Sequence, residues 1–163
     1  MENAINVSDK LLILWAGRFE QIKKDIQTAR EKEPRKKIGF MGNDDDLNRK
    51  ILEKLEINIF LINQENRRDF QKQRNSGFNH VIAKIAKKKN TTIGINLDEI
   101  VESKNPKEKA EILARIHQNI KLCNKNKLKM KFIAQKESNN RNLHDLKSLG
   151  LILGMPTWMT KNL

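Results

Sequence analysis

The sequence predicts an α/β fold made of repeated parallel βα units, and three observations carry that expectation. Apolar, β-favouring runs alternate about five times with segments whose apolar residues recur every three or four positions, the spacing of one helical face. The run at 92–97 shows little alternation, as in a strand covered on both faces. A length of 163 residues, 37% of them hydrophobic, is enough to bury a core without disulfide or metal staples. Such repeats form either an open sheet or a closed barrel, and both fit the spacing.

Residues 11–16 form a short apolar strand closed by Gly17, and Phe19, Ile22, Ile26 and Ala29 mark the first helix, which Pro34 ends. Residues 37–41 are the next strand. Asn43 with Asp44, Asp45 and Asp46 supplies an N-cap and first-turn acids suited to the positive end of a helix. Leu47, Ile51, Leu52 and Leu55 then form the buried stripe. A third strand at 57–62 leads into a polar, basic loop at 63–75. Phe78, Val81, Ile82 and Ile85 line the following helix, which runs out at Lys87-Lys88-Lys89 and Asn90; after it comes the strand at 92–97. Asn105-Pro106 with Glu108 starts another helix: a cap, a proline in the first turn and an early acid. Its apolar face continues through Ala110, Leu113, Ile116 and Ile120. Residues 129–134 read as a strand and 142–149 as a short helix stopped by Gly150, with an apolar, irregular tail at 153–163. No low-complexity linker interrupts the chain, so residues 1–163 read as a single domain.

Charge narrows the function. Lys and Arg number 33 against 20 Asp and Glu, a formal net charge of +13. That excess attracts polyanions and drives association by counterion release. Nucleic acid is the expected partner; a membrane is not, since no run approaches spanning length and no helix pairs a bulky aromatic face with a basic one. The one cysteine, Cys123, falls at an apolar helix position and reads as a core residue, in keeping with a reducing cytoplasm. The opening MENAINVSDK lacks the basic-then-apolar order of a secretory signal. Neither a P-loop nor a dinucleotide fingerprint is present, and no Ser-His-Asp or Cys-His arrangement follows from spacing.

One segment is more specific. SGFNHVIAKIAKKKNTTIGINL at 76–97 resembles the ribonuclease P protein component 3 family, the archaeal counterpart of the p30 subunit of nuclear ribonuclease P. Three further blocks agree in order: RRDFQKQRN at 67–75, NIKLCNKNKLKMKFIA at 119–134 and RNLHDLKSLGLILGM at 141–155. Residues 1–63 match only loosely, and Gln135-Lys136-Glu137-Ser138 stands where the family tends to place small residues. The resemblance implies a TIM-barrel-like arrangement of the parallel βα repeats, here reduced or incompletely closed. It also implies a non-catalytic protein subunit of the ribonucleoprotein that removes 5′ leaders from precursor tRNA. Its implied partners are ribonuclease P RNA, precursor tRNA through the holoenzyme, ribonuclease P protein component 2 and other protein subunits. No cofactor is expected on the protein, and magnesium is expected on the RNA. Apolar surface not used for the core is expected to dock the partner subunit, and the tail LGMPTWM could take part.

The candidate RNA-binding residues are Arg68, Lys72 and Arg74 in the loop, Lys84 and Lys88 on the helix after it, Lys121, and Arg141. A solvated face and complementation of helix C-termini account for many lysine runs, including Lys87 to Lys89. What favours RNA is the clustering of arginines, which fork onto phosphate oxygens, after a strand end. Lys129 and Lys131 serve equally well as protection for an edge strand. His80, His117 and His144 lie far apart on helices and are not expected to bind metal. Asn96 and Asn119 are either parts of a polar network at the sheet's rim or plain surface amides. Asp98 and Glu99 are expected to cap the loop after their strand. Two other functions compete: a metal-dependent phosphoesterase on a related barrel, and a generic basic RNA-binding protein.

Overall fold

The computed structural model describes residues 4–8, 10–15, 17–42 and 44–163. Six strands form one sheet in the order β1 to β6: β1 (Ala4–Ser8), β2 (Leu11–Trp15), β3 (Lys37–Gly42), β4 (Ile59–Ile62), β5 (Thr92–Asn96) and β6 (Met130–Ile133). Strands β2 to β6 run parallel, each beside the next in sequence, as the βα grammar requires. Strand β1, which the sequence reading missed, is an antiparallel addition on β2, its pairing shifted between Asn6 and Ser8. The crossovers carry α1 (Phe19–Lys32), α2 (Asp45–Lys54), α3 (His80–Lys88), and α4 (Leu97–Glu102) with α5 (Pro106–Asn126); α6 (Leu143–Ile152) and α7 (Thr157–Thr160) close the chain. A 3-10 turn at Glu137–Asn139 follows β6.

The large core lies between the sheet and its helices. Leu12, Leu14, Phe40, Phe60, Ile93 and Met130 point into it from the strands, with Ile22, Ile51, Ile82 and Ile120 from the helices. The other sheet face is lined by Leu11, Ile13, Ile59, Leu61 and Ile133, with Val7 and Met41. The sheet curls around this second cluster: beyond β6, Gln135 Nε2 reaches Met41 Sδ on β3 at 3.4 Å. No pairing between β1 and β6 occurs among the described residues, so the barrel is curved but not closed.

Gly94 is what lets the inner face pack so closely. A Cβ there would lie 2.6 Å from Leu61 Cδ1 and 3.3 Å from Ile59 Cγ2. Leu61 is fully buried and has nowhere to retreat. Gly94→Val is therefore expected to cost about 1–3 kcal/mol, the usual penalty for overpacking, read from the urea midpoint.

Several helix starts follow the sequence. Asn79, Asn105 and Asn142 cap α3, α5 and α6 through their side chains. Asp44 caps α2, accepting from the Leu47 N–H; Asn43, the other expected cap, lies outside the described residues, as does Ala16. Other expectations need correcting. The stripe of α5 is Ile112, Ile116, Ile120 and Cys123, while Ala110 is exposed and Leu113 half-buried. Gly150 does not stop α6 but sits inside it, where a Cβ would meet Met155 Sδ at 3.0 Å; the left-handed residue after the helix is Gly154, at φ +92°. The tail is not a free apolar segment either. Leu153, Met155 and Met159 are buried, His117 Nδ1 lies 2.8 Å from the Leu153 carbonyl, and Trp158 Nε1 donates to Asn124 Oδ1 at 3.1 Å. Among the described residues, the large apolar side chains left exposed are Phe70, Leu143, Leu151 and Ile152.

Candidate nucleic-acid interface

Residues 63–79 join β4 to α3 without a helix or strand. A connection this long is usually functional, and its order has to come from side chains. Here it comes from Arg115 on α5, whose side chain is only 3% exposed. Its Nε donates to Asp69 Oδ1 at 2.8 Å, Nη1 to the Gln64 carbonyl at 3.0 Å and Nη2 to the Arg67 carbonyl at 2.8 Å. One guanidinium thus satisfies three loop acceptors. Asp69 in turn accepts from the Asn75 N–H and from Arg74 Nη1. Burial pushes its carboxyl up, but the donations from Arg115, Asn75 and Arg74 outweigh that and hold it below the usual aspartate range.

The motif RRDFQKQRN therefore divides by direction. Arg67 turns inward: Nε donates to the Asn63 carbonyl at 2.7 Å and Nη2 pairs with Asp45 at 3.0 Å. It fills the space beside Gly77, whose φ of +68° and lack of a Cβ leave room for the guanidinium. Arg68 and Lys72 face outward and are exposed, whereas Arg74 shares Asp69 with Arg115 and remains 45% exposed.

The sheet's C-terminal rim holds this loop from below. Asn96 ends β5, accepts from the Asp98 N–H and donates from Nδ2 to Asn63 Oδ1 at 3.0 Å. Asp98 and Glu99, expected to cap a loop, instead lie buried at the start of α4, a helix the sequence reading missed. Glu99 accepts from the Gln64 and Glu65 N–H groups, and Asp98 from the Gln135 N–H and Asn139 Nδ2. Two neighbouring carboxylates so bind the exits of β4 and β6 to the end of β5. Asn119 is buried on α5, its Oδ1 unpartnered, and takes no part in the rim.

Burial pushes the Glu99 carboxyl up, the two amide donations and Arg67 offsetting this only in part. A carboxyl raised in the folded state binds its proton more tightly there than in the unfolded chain. Its contribution is therefore most favourable below the ordinary value of 4.5 and declines as pH rises through the folded-state value. The stability advantage of the wild type over Glu99→Gln should accordingly shrink as pH rises across that interval, read by urea unfolding at a series of pH values.

The seven candidate residues are all exposed, and six of them lie on the loop, α3 and α5. Arg68, Lys72 and Arg74 stand on the loop at the rim. Gln118 Nε2 donates to the Arg74 carbonyl at 3.5 Å and lays the loop against α5, one turn above Lys121. Helices α3 and α5 pack side by side, Lys84 lies one turn into α3, and Lys88 is its last residue. Lys87 Nζ reaches the Lys127 carbonyl at 2.9 Å and joins the two helix ends. Arg141 stands apart beyond β6, donating to the Ser138 and Asn140 carbonyls, with α4 and its acids between it and the loop. Lys131 lies half-buried on the edge strand β6, with Lys129 exposed just before it. His80, His117 and His144 sit on three different helices, and among the described residues no three His, Cys, Asp or Glu side chains form a group that could hold a metal. Arg115 is the residue that sequence reasoning overlooked. A cation set between Ile112 and Ile116 in an apolar stripe was the available signal.

A scan against protein-family models finds no match. Over 124 residues the chain is 29% identical to ribonuclease P protein component 3 of Methanococcus vannielii, an alignment covering 76% of this chain and 49% of that one. The chain resembles ribonuclease P protein component 3. It spans about half the length of that curated relative. Among solved structures, a chain in a cryo-EM structure of archaeal ribonuclease P with mature tRNA superposes with a TM-score of 0.75 at 21% identity, covering 91% of this chain and 62% of that one. The α/β fold of parallel repeats expected from the sequence is thereby borne out, as an open rather than a closed barrel.

Proposed function

We propose that this chain is a protein subunit of a ribonuclease P ribonucleoprotein, supporting RNA-catalysed removal of 5′ leaders from precursor tRNA. The observation that carries the reading is the likeness to component 3 over three quarters of the chain, together with the exposed cations that this structure places along the loop, α3 and α5. In this reading Arg68, Lys72, Arg74, Lys84, Lys88 and Lys121 neutralise phosphates of the catalytic RNA, with Arg141 as a separate contact beyond β6. Each neutralised phosphate releases condensed counterions, so the RNA folds at lower magnesium. The chain supplies no catalytic group and holds no cofactor; the metal ions belong to the RNA. Leu143, Leu151 and Ile152 on α6, rather than the buried tail, offer the apolar surface for a partner subunit such as component 2.

Affinity purification of the tagged chain from its own cell, followed by sequencing of bound RNA and identification of bound protein, tests this. Ribonuclease P RNA and component 2 should be the enriched species. Recovery of bulk RNA in proportion to abundance would support a generic basic RNA-binding protein instead.

A further inference from the structure

The charge of this protein is concentrated at the end of the sheet opposite the rim. The segments that close α1, α2, α3 and α5 and lead into β3, β4, β5 and β6 are residues 30–37, 53–58, 87–91 and 125–129. Together they hold twelve Lys and Arg against four Glu. The segments leaving the C-terminal ends of β2 to β6 hold eight Lys and Arg against nine Asp and Glu. Most of the +13 therefore sits at one pole.

We infer that this pole is a second contact surface for the phosphate backbone of structured RNA, meeting the α3–α5 flank at Lys88 and otherwise distinct from the loop and from Lys84 and Lys121. The inference rests on the reading proposed above and extends it to another face.

Helix ends account for only part of the charge. Four C-termini call for about half a positive charge each, far less than the excess present. Nor is the charge cancelled locally. Glu56 is taken by Arg30, Glu33 by Lys36 and Glu53 by Arg49, while Glu31 accepts from Gln27. Lys54, Lys88, Lys125 and Lys129 have no carboxylate partner among the described residues, and all are exposed.

The surface is also built to hold its shape. Hydrogen bonds stitch neighbouring segments together: the Asn58 N–H to the Ile38 carbonyl, the Thr92 N–H to the Asn58 carbonyl, Lys89 Nζ to the Leu55 carbonyl, and the Ile93 N–H to the Lys129 carbonyl. Two adjoining clefts of about 410 and 370 Å³ share Arg30 and Asn58, one lined by Arg35 and Lys37, the other by Lys88 and Lys89. Lys127 within this segment adopts φ +53°, a left-handed position where glycine or asparagine is the ordinary choice, and its Nζ lies 5.6 Å from the centroid of the Trp158 ring, so packing accounts for part of its presence.

The lining also favours RNA over a membrane surface. Among the described residues the exposed large apolar side chains, Phe70, Leu143, Leu151 and Ile152, all lie outside these segments, so these segments offer no apolar side chain to an acyl layer. Lysine outnumbers arginine by ten to two in the pole, which suits point contacts to a backbone rather than forked readout of bases.

The test uses the full chain and three probes: ribonuclease P RNA, a 20-base-pair RNA duplex, and vesicles containing phosphatidylserine. The pole variant carries Lys32→Gln, Arg35→Gln, Lys54→Gln, Lys125→Gln, Lys127→Gly and Lys129→Gln; the flank variant carries Arg68→Gln, Lys72→Gln and Arg74→Gln. Lys127→Gly relieves a left-handed lysine but gives up its position over the Trp158 ring, so that single change should weaken RNA binding with only a small change in the unfolding midpoint. For both RNAs the pole variant should bind about a hundredfold more weakly at moderate salt, with the slope of log Kd against log salt reduced by about four. An unchanged slope in the pole variant, with binding lost in the flank variant, would overturn this inference and leave the proposed subunit role standing. A wild-type chain that binds neither RNA would overturn both. Vesicle binding as tight as RNA binding, and equally lost in the pole variant, would make the surface a membrane contact and refute the RNA assignment.

Discussion

Arg115→Met is expected to destabilise the protein by about 1–3 kcal/mol for each loop carbonyl left without its donor. The variant keeps the apolar volume of the side chain but strips the Gln64 and Arg67 carbonyls of their donor and leaves Asp69 to Arg74 and the Asn75 N–H. Gln64 is buried and Arg67 half-buried, so water replaces the lost donor at their carbonyls only where the loop lifts away. Against a total stability of about 5–15 kcal/mol, such a loss is severe. Arg115→Lys should recover little of it, because a single ammonium cannot span three acceptors that lie in different directions around a planar fork. Urea unfolding reads the stability, and limited trypsin cleavage at Arg68 and Lys72 reads the loop. Cleavage there should accelerate in both variants under conditions where the wild-type loop is protected.

The second large effect concerns binding. Replacing Arg68, Lys72, Lys84 and Lys121 together by glutamine should leave the fold intact, since each is exposed and none makes a hydrogen bond or ion pair on which the core depends. Affinity for ribonuclease P RNA should nevertheless fall by about ten- to a hundredfold at moderate salt, and the salt slope should decrease by about three. The circular dichroism spectrum and urea midpoint serve as controls for folding. This pairs with the Arg115 prediction: one change removes the scaffold and keeps the outward charges, the other removes the charges and keeps the scaffold.

How much of this was legible in the sequence depends on how local the cause is. Strands β2 to β6 and the cap at Asn105 were readable because hydrophobic run, spacing and cap chemistry lie within a few residues of one another. Strand β1 was not, because AINVS is short and partly polar and becomes a strand only through pairing with Leu11–Trp15. Helix α4 was hidden for a different reason. Leu97 extends the apolar run of β5, so the cap at Asn96 reads as strand interior until the carboxylates of Asp98 and Glu99 are seen binding the neighbouring loops. Gly150 misled because glycine near a helix end usually marks the stop, whereas here it makes room for Met155 of the returning tail.

The candidate interface shows the same division. That the chain is cationic, and that the loop after β4 carries arginines, follows from composition and order. Which arginine turns inward does not: Arg67 and Arg68 are adjacent and identical, and only Asp45, Asn63 and the space beside Gly77 decide between them. The polar distribution of charge could have been read earlier, since each lysine-rich stretch falls where a helix gives way to the next strand. It becomes evident once the parallel sheet places all those junctions at one end.

The central claim is tested most directly by cleavage of precursor tRNA with ribonuclease P RNA and its protein subunits, measured across a magnesium titration with and without this chain. Adding the chain should move the magnesium midpoint for 5′-leader removal to lower concentration, and the Arg68, Lys72, Lys84 and Lys121 variant should lose most of that shift. Superimposable titrations in the presence and absence of the chain would contradict it.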